Sequence, residues 1–215
     1  MNDLKQKPGK GNLGVNPHIQ TMILGVTGGL GCGKSSAAKI FKSLGYSHLD
    51  ADAIIRGEIL TEPRIIEAIG ARFGQDVVAA DGVVNRAELG SIVFSDSAAL
   101  LWLENLVHPP LFARMRTLLA ATPREPWVVE MPLLFEKQLE NWFDFIVCVT
   151  CAPAQQLIRL EQRGLARALA AQRIAKQLPL VRKIELSDFV LLNDGSPDFL
   201  HKQIDLLVAG FPVRG

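Results

Sequence analysis

Apolar positions along the chain alternate between two patterns. Met22-Ile-Leu-Gly-Val-Thr27 is a short, nearly continuous apolar run, as expected of a strand buried on both faces. Gly-rich residues 28–35 follow. A helix is predicted from Lys34 to Leu44, ended by Gly45 at the position after the last turn. Tyr46 to Leu49 reads as a second strand that closes at Asp50-Ala-Asp52. From Ala53 to about Ala121 the spacing becomes helical, carried by Ile54, Ile55 and Ile59, then Ile65, Ile66 and Ile69, then Leu100, Leu101, Leu103, Leu106 and Val107. Asp81-Gly82 predicts a turn inside this stretch, and Pro109-Pro110 predict a break or kink in its last long helix. Strand patterns return at Trp127–Met131, Phe145–Thr150 and Asp188–Leu192. Pro153 suits the first turn of one helix, and Ser196-Pro197 suit the N-cap and first position of the last. Strands separated by helices predict an α/β fold with a parallel sheet covered on both faces, interrupted by a helical insertion.

Composition narrows the function classes. The chain has 215 residues, 48% of them hydrophobic and 21% charged, which suits a folded domain and not a disordered segment. A formal net charge of +1 argues against a generally basic nucleic-acid or membrane-surface binder. No apolar run approaches the ~18 residues of a membrane span. Residues 1–21 hold three Lys and one Asp and no apolar stretch of signal-peptide type, so they read as a flexible tail, with Met22 an alternative start. Three cysteines are an odd number in a chain that needs no stapling, which points to a reducing cytoplasm. The pattern leaves a monomer and a weak homo-oligomer equally open.

The sharpest chemical signal is Gly28-Gly-Leu-Gly-Cys-Gly33-Lys34-Ser35, a G-x-x-x-x-G-K-S run lying after a predicted strand and opening a predicted helix. Gly residues let successive backbone N–H groups turn inward as an anion nest, and the helix end adds positive potential. Gly29, Leu30, Gly31, Cys32, Gly33, Lys34, Ser35 and Ser36 are therefore candidate nucleotide-phosphate contacts, for ATP or GTP. Lys34 reaches the β- and γ-phosphates, and Ser35 offers a hydroxyl to Mg²⁺. Asp50 and Asp52, two residues apart after a strand, project to one side if the backbone is extended. One of them orients or deprotonates an attacking hydroxyl and the other holds a metal-bound water; alternatively, one simply caps the next helix.

The ordered set of motifs resembles dephospho-CoA kinase. It comprises Thr27-Gly-Gly-Leu-Gly-Cys-Gly-Lys-Ser35, Phe41-Lys-Ser-Leu-Gly45, Leu49-Asp-Ala-Asp52 and Asp81-Gly-Val-Val-Asn-Arg86, the last with Leu89 and Val93-Phe94. His108-Pro109, Pro132-Leu-Leu-Phe-Glu136, Arg173-Ile174 with Gln177, and Ser187-Asp188 with Asn193 complete it, so that the likeness runs from about residue 23 to 196. The resemblance implies a P-loop kinase with a three-layer α/β/α core (22–52 and 122–215), a helical CoA-binding subdomain (about 53–121) and a mobile lid (about 159–183). It implies transfer of the γ-phosphoryl of ATP to the ribose 3′-hydroxyl of dephospho-CoA, the last step of CoA biosynthesis. It assigns Asp52 as the base or hydroxyl-orienting group. Two departures stand out. Glu130 occupies a third-strand position where the family often has Asp, with support of Mg²⁺ through water as its expected role. The lid start, Gly164-Leu-Ala-Arg-Ala-Leu169, lacks the usual Ser/Thr cap and acidic residues.

Residues 159–183 carry seven basic side chains, Arg159, Arg163, Arg167, Arg173, Lys176, Arg182 and Lys183, against Glu161 alone. Read as a lid over ATP, the segment brings positive charge to the transferring phosphoryl group, with Arg163 the catalytic candidate and Arg173 a nucleotide contact; for each, a solvated helix face is the competing reading. Arg56, Arg86 and His108 in the insertion are candidates for the pyrophosphate of dephospho-CoA, His108 alternatively packing or capping a helix. Cys148-Val-Thr-Cys151 reads as strand-end packing, since no second pair supplies a zinc site. Cys32, inside the nest, is expected to favour thiolate and to be alkylated more slowly when ATP is bound. His18, His48 and His201 read as surface groups. Another small-molecule P-loop kinase, for a sugar or a nucleoside monophosphate, and a nucleotide-sensing module without turnover are the competing functions.

Overall fold

The computed structural model describes residues 22–122 and 125–211, with Gln75 described by its backbone alone. The expected tail at 1–21 lies outside the described residues. Five strands form one sheet: β1 (Ile23–Gly28), β2 (Ser47–Asp50), β3 (Trp127–Glu130), β4 (Phe145–Thr150) and β5 (Phe189–Leu192), in the order β2-β3-β1-β4-β5. The pairs β1–β3, β1–β4 and β4–β5 run parallel. Val26 stands opposite Glu130, and Thr27 opposite Cys148, so the C-terminal ends of three neighbouring strands come level at one edge. This is the α/β fold that the alternating pattern predicts, with β4 at its expected limits and the other strands within one residue of theirs.

The central strands are apolar on both faces because helices cover both. Helix α1 (Lys34–Ser43) follows β1, and its Ala37, Ala38 and Phe41 are buried against Leu24, Val26, Val147 and Val149. Helix α9 (Pro197–Ala209) adds Leu200 and Ile204 to the same core, and starts as expected, with the Ser196 side chain accepting from the Phe199 N–H and Pro197 in the first turn. On the opposite face, Leu134 and Phe143 lie so close over Gly25 that a Cβ there would come within 2.8 Å of each. Between β4 and β5 run α6 (Pro153–Gln162), α7 (Arg167–Ala175) and α8 (Leu180–Leu186).

The chain divides into two compact units. Among the described residues, one takes 22–49 and those from Thr122 onward; the other is Asp50–Ala121. The second unit holds α2 (Ala51–Gly57), α3 (Pro63–Phe73), α4 (Arg86–Ser95) and α5 (Ser97–Ala121). Asp81-Gly82 does form a turn, with Gly82 at φ 80° and an antiparallel bridge between Val78 and Val84 flanking it. Of the break or kink expected at Pro109-Pro110, the break does not occur: both prolines lie inside the 25-residue α5. Val107, Leu111 and Met115 are buried on either side of them, and this packing keeps the helix continuous through the two missing N–H donors.

Candidate active site

The loop between β1 and α1 is shaped by what stands behind it. Gly31 and Gly33 have φ of 81° and 95°, in the left-handed region that glycine tolerates. A Cβ on Gly33 would lie 2.1 Å from Asn193 Nδ2, which itself donates to the Cys32 carbonyl at 2.8 Å. The Cys32 N–H closes the turn onto the Gly29 carbonyl at 3.1 Å. No side chain caps α1, so its N-terminal end keeps the potential that attracts anions. Lys34 is 7% exposed, and its Nζ donates to the carbonyls of Gly28 (3.3 Å) and Gly29 (3.1 Å). The Leu30 N–H donates to Gln177 Oε1 at 3.2 Å, a link between this loop and the segment after α7.

Beside the loop, Ser35 Oγ donates to Glu130 Oε1 at 2.7 Å. Glu130 is 5% exposed, and its second oxygen is buried without a hydrogen-bond partner. Burial alone would push this carboxyl up; the His48 ring, the Ser35 hydroxyl and the Lys34 charge outweigh it and hold Glu130 below the usual carboxylate range. His48 is therefore not the surface group expected of it. Its Nε2 is 3.8 Å from Glu130 Oε2 and its side chain 21% exposed, because β2 neighbours β3 in the sheet. The hydroxyl and the carboxylate are hard oxygen donors of the kind Mg²⁺ takes, and the orphaned Glu130 oxygen fits a cation. Among the described residues no group of three His, Cys, Asp or Glu side chains is placed to hold a metal; Mg²⁺ bound with substrate phosphates needs only one or two carboxylates.

A cavity of about 230 Å³ opens on the far side of the loop, lined by Gly33, Ser36, Arg159, Arg163, Asn193 and Gly195, among others. Arg163 is exposed at this cavity. Arg159 Nη2 donates to the Asn193 carbonyl at 2.7 Å and so fixes the floor. Sequence reasoning left Arg159 among the lid charges and gave Asn193 no site role. The available signal was a polar residue directly after the last strand; Asn193 is 8% exposed although Val190 and Leu192 of that edge strand are exposed.

Residues 159–183 are less cationic than their composition suggests. Lys183 is fully buried; its Nζ lies 2.8 Å from Glu136 Oε1 and 2.7 Å from the Pro132 carbonyl. Glu136 also accepts from the Leu178 N–H at 2.9 Å, so it ties both ends of the 178–183 stretch. Arg167 pairs with Glu161 at 3.1 Å, and Arg182 pairs with Glu185. Arg173 is half-buried in the last turn of α7.

Cys32 lines the loop with its backbone, while its thiol points into the core. Cys32 is fully buried; its sulfur accepts from the Cys151 thiol at 3.6 Å and from Gln156 Nε2 at 2.9 Å. The Cys151 hydrogen bond leads, and with that of Gln156 and the Lys34 charge it overcomes burial, bringing the Cys32 thiol down to about 6. The shift runs in the expected direction, but its causes are neighbouring side chains and the Lys34 charge, not the nest N–H groups. Cys151, as the donor, is pushed up; burial raises Cys148 to about 12.

In the second unit, the Asp50 side chain accepts from the Ala53 N–H at 2.9 Å and caps α2. Asp52 is exposed in the first turn of α2, and Arg56 is one turn further on, 3.8 Å from Asp50 Oδ2. Arg86 is exposed as the first residue of α4, while His108, half-buried in α5, stacks on Phe112 with ring centres 5.6 Å apart.

Residues 22–198 match the family described as dephospho-CoA kinase. The chain belongs to the dephospho-CoA kinase family. A protein of that name from Thermosynechococcus vestitus is 41% identical over 184 residues, covering 85% of this chain and 91% of that protein. Another from Synechococcus sp. strain CC9902 is 42% identical over 189 residues, covering 86% and 94%. The solved structure of dephospho-CoA kinase from Campylobacter jejuni shares the fold, with a TM-score of 0.60 at 24% identity over 88% of this chain and 96% of that one. As a kinase-family member, the chain takes ATP as phosphoryl donor. No helix among the described residues is long and apolar enough to cross a membrane.

Proposed function

We propose that this chain transfers the γ-phosphoryl of ATP to the ribose 3′-hydroxyl of dephospho-CoA, giving CoA and ADP. The observation that carries the chemistry is the Ser35–Glu130 pair set against Lys34 at the end of the phosphate loop. Family membership supports the acceptor. In such a transfer the acceptor oxygen bonds to the γ-phosphorus, the bond to the β–γ bridging oxygen breaks, and ADP leaves. Most of the catalysis is positioning and charge stabilisation. Lys34 supplies charge to the β- and γ-phosphates. Ser35 and Glu130 are the residues that would hold Mg²⁺, which when bound neutralises phosphate charge. Asp52 accepts the proton of the attacking hydroxyl or orients it. Arg163 and Arg173 bring cationic groups toward the nucleotide; Arg56, Arg86 and His108 serve the acceptor. The three unbonded cysteines support a reducing, cytoplasmic setting.

The deciding experiment measures ADP release from Mg-ATP with dephospho-CoA, adenosine, gluconate or no acceptor. Release only with dephospho-CoA is expected. Equal or faster release with adenosine or gluconate would replace this reading by a nucleoside or sugar kinase. ATP binding with no release under any condition would make the protein a nucleotide sensor.

A further inference from the structure

The C-x-x-C at 148–151 has no part in phosphoryl transfer, yet one of its cysteines touches the phosphate loop. Cys148 and Cys151 are three residues apart along an extended segment, which turns them to opposite faces of the sheet. Cys151 is thereby directed away from Cys148 and toward Cys32, with the two sulfurs 3.6 Å apart. Gln156, 5% exposed, aims its amide at the Cys32 sulfur from the other side at 2.9 Å. The two thiols therefore stand in van der Waals contact, one in the nucleotide-binding loop and the other beyond the end of β4.

We infer that Cys32 and Cys151 form a reversible disulfide under peroxide, and that this bond takes the phosphate loop out of its nucleotide-binding shape. In the first step the Cys32 thiolate attacks one peroxide oxygen. The O–O bond breaks, an S–OH group forms on Cys32, and hydroxide leaves to become water. In the second step the Cys151 sulfur attacks the Cys32 sulfur; the S–S bond forms, and the S–OH oxygen departs with the Cys151 proton as a second water. Two thiols are oxidised and one peroxide is reduced to two waters. Cys32 has the lowered thiol pKa and Cys151 is held protonated, which fixes their order as attacking and resolving sulfurs. Both thiols are buried, at 0% and 4% exposure, and this selects a small oxidant such as peroxide over a bulky disulfide.

The effect on the loop follows from its tight support. Bonded sulfurs stand about 2.05 Å apart, so the contact must shorten by roughly 1.6 Å. Cys32 is held by Asn193 through its carbonyl, and Gly33 has no room to move toward the same side chain. Drawing Cys32 toward Cys151 therefore turns the N–H groups of residues 32–34 away from a bound phosphate. A tenfold or greater loss of ATP affinity is expected. By linkage, saturating ATP makes the disulfide harder to form by the same factor, a shift of about 30 mV per tenfold for a two-electron couple.

The test treats the full chain with equimolar hydrogen peroxide, maps linked peptides by mass spectrometry and measures ATP binding before and after. The expected result is a Cys32–Cys151 link, loss of 2 Da, weakened ATP binding and recovery with dithiothreitol. Cys151→Ser should give no link and leave Cys32 as the sulfenic acid, read as a gain of 16 Da on its peptide or as a dimedone adduct when the protein is unfolded in the presence of dimedone. Cys148→Ala should still form the link, which keeps the test decisive if Cys151→Ser does not fold. A Cys148–Cys151 link, no link at all, or a Cys32–Cys151 link with unchanged ATP affinity would each overturn the inference. Peptide mapping does not depend on nucleotide binding, so failure of this inference and failure of the kinase reading are told apart.

Discussion

The two units carry their candidate groups in different ways. In the sheet-containing unit several polar groups are held by one another: exposed Ser35 on buried Glu130, buried Lys34 on loop carbonyls, buried Lys183 on Glu136, while Arg163 stays exposed at the cavity. In the helical unit Asp52, Arg56 and Arg86 stand exposed on helix surfaces. Groups that meet the constant part of a reaction, the triphosphate, benefit from preorganisation in a low-dielectric setting. Groups that receive a large, flexible acceptor are ordered by the acceptor itself, and their loss should appear in KM or kcat with little effect on stability. The difference predicts that substitutions in the first unit disturb fold and activity together, whereas those in the second separate them.

Asp52→Asn is the strongest test of that separation. The amide keeps the size and exposure of Asp52 and removes the proposed base, so kcat should fall by about 10²–10⁴, the usual scale for general acid–base catalysis. ATP affinity should stay at the wild-type value and stability should fall by no more than about 1 kcal/mol, the scale of a carboxylate in the first turn of a helix; an unchanged kcat in steady-state assays would remove Asp52 from the chemistry. Lys183→Met works in the opposite direction. It leaves the Glu136 carboxylate without its buried cation, a change that costs about 3–5 kcal/mol. Urea unfolding should show this loss in full. If stability is unchanged while turnover drops, Lys183 is a lid charge after all and the contrast between the units fails.

How much of this was legible in the sequence depended on how far apart the interacting residues lie. The phosphate loop, the turn at Asp81-Gly82 and the Ser196-Pro197 helix start are local devices, and each is written in adjacent residues. Asp52 and Arg56 fell on one helix for the same reason. Lys183 was counted as a lid charge because its partner Glu136 lies 47 positions earlier and across the fold; no count over residues 159–183 could reveal that neutralisation. His48 was read as a surface group because its contact with Glu130 exists only once β2 and β3 are neighbours. Cys32 shows the mixed case: its place in the loop was local, but the direction of its thiol is set by Cys151 and Gln156, more than a hundred residues away. At Pro109-Pro110 the chain does not break. A local rule was overridden by the burial of Val107, Leu111 and Met115 along one helix.

Smaller effects sharpen the comparison within the helical unit. Arg86→Ala should raise KM for dephospho-CoA about tenfold or more, since a hydrogen bond to a charged group contributes about 1.5–3 kcal/mol. ATP affinity measured by calorimetry should not move, and a parallel loss of ATP binding would take Arg86 out of the acceptor role. Asp50→Ala should have the smallest effect, and its kind matters more than its size. Asp50 accepts the Ala53 N–H at 2.9 Å and caps α2, the helix that carries Asp52 in its first turn. Removing the cap should cost about 1 kcal/mol of stability, seen as a lower urea midpoint. Asp50→Asn and Asp50→Ser retain an N-cap acceptor and should restore that stability. If Asp50 is a cap alone, both replacements should also restore kcat. If a carboxylate is needed there for a metal-bound water, they will restore stability while kcat stays low, and the two aspartates will share the chemistry.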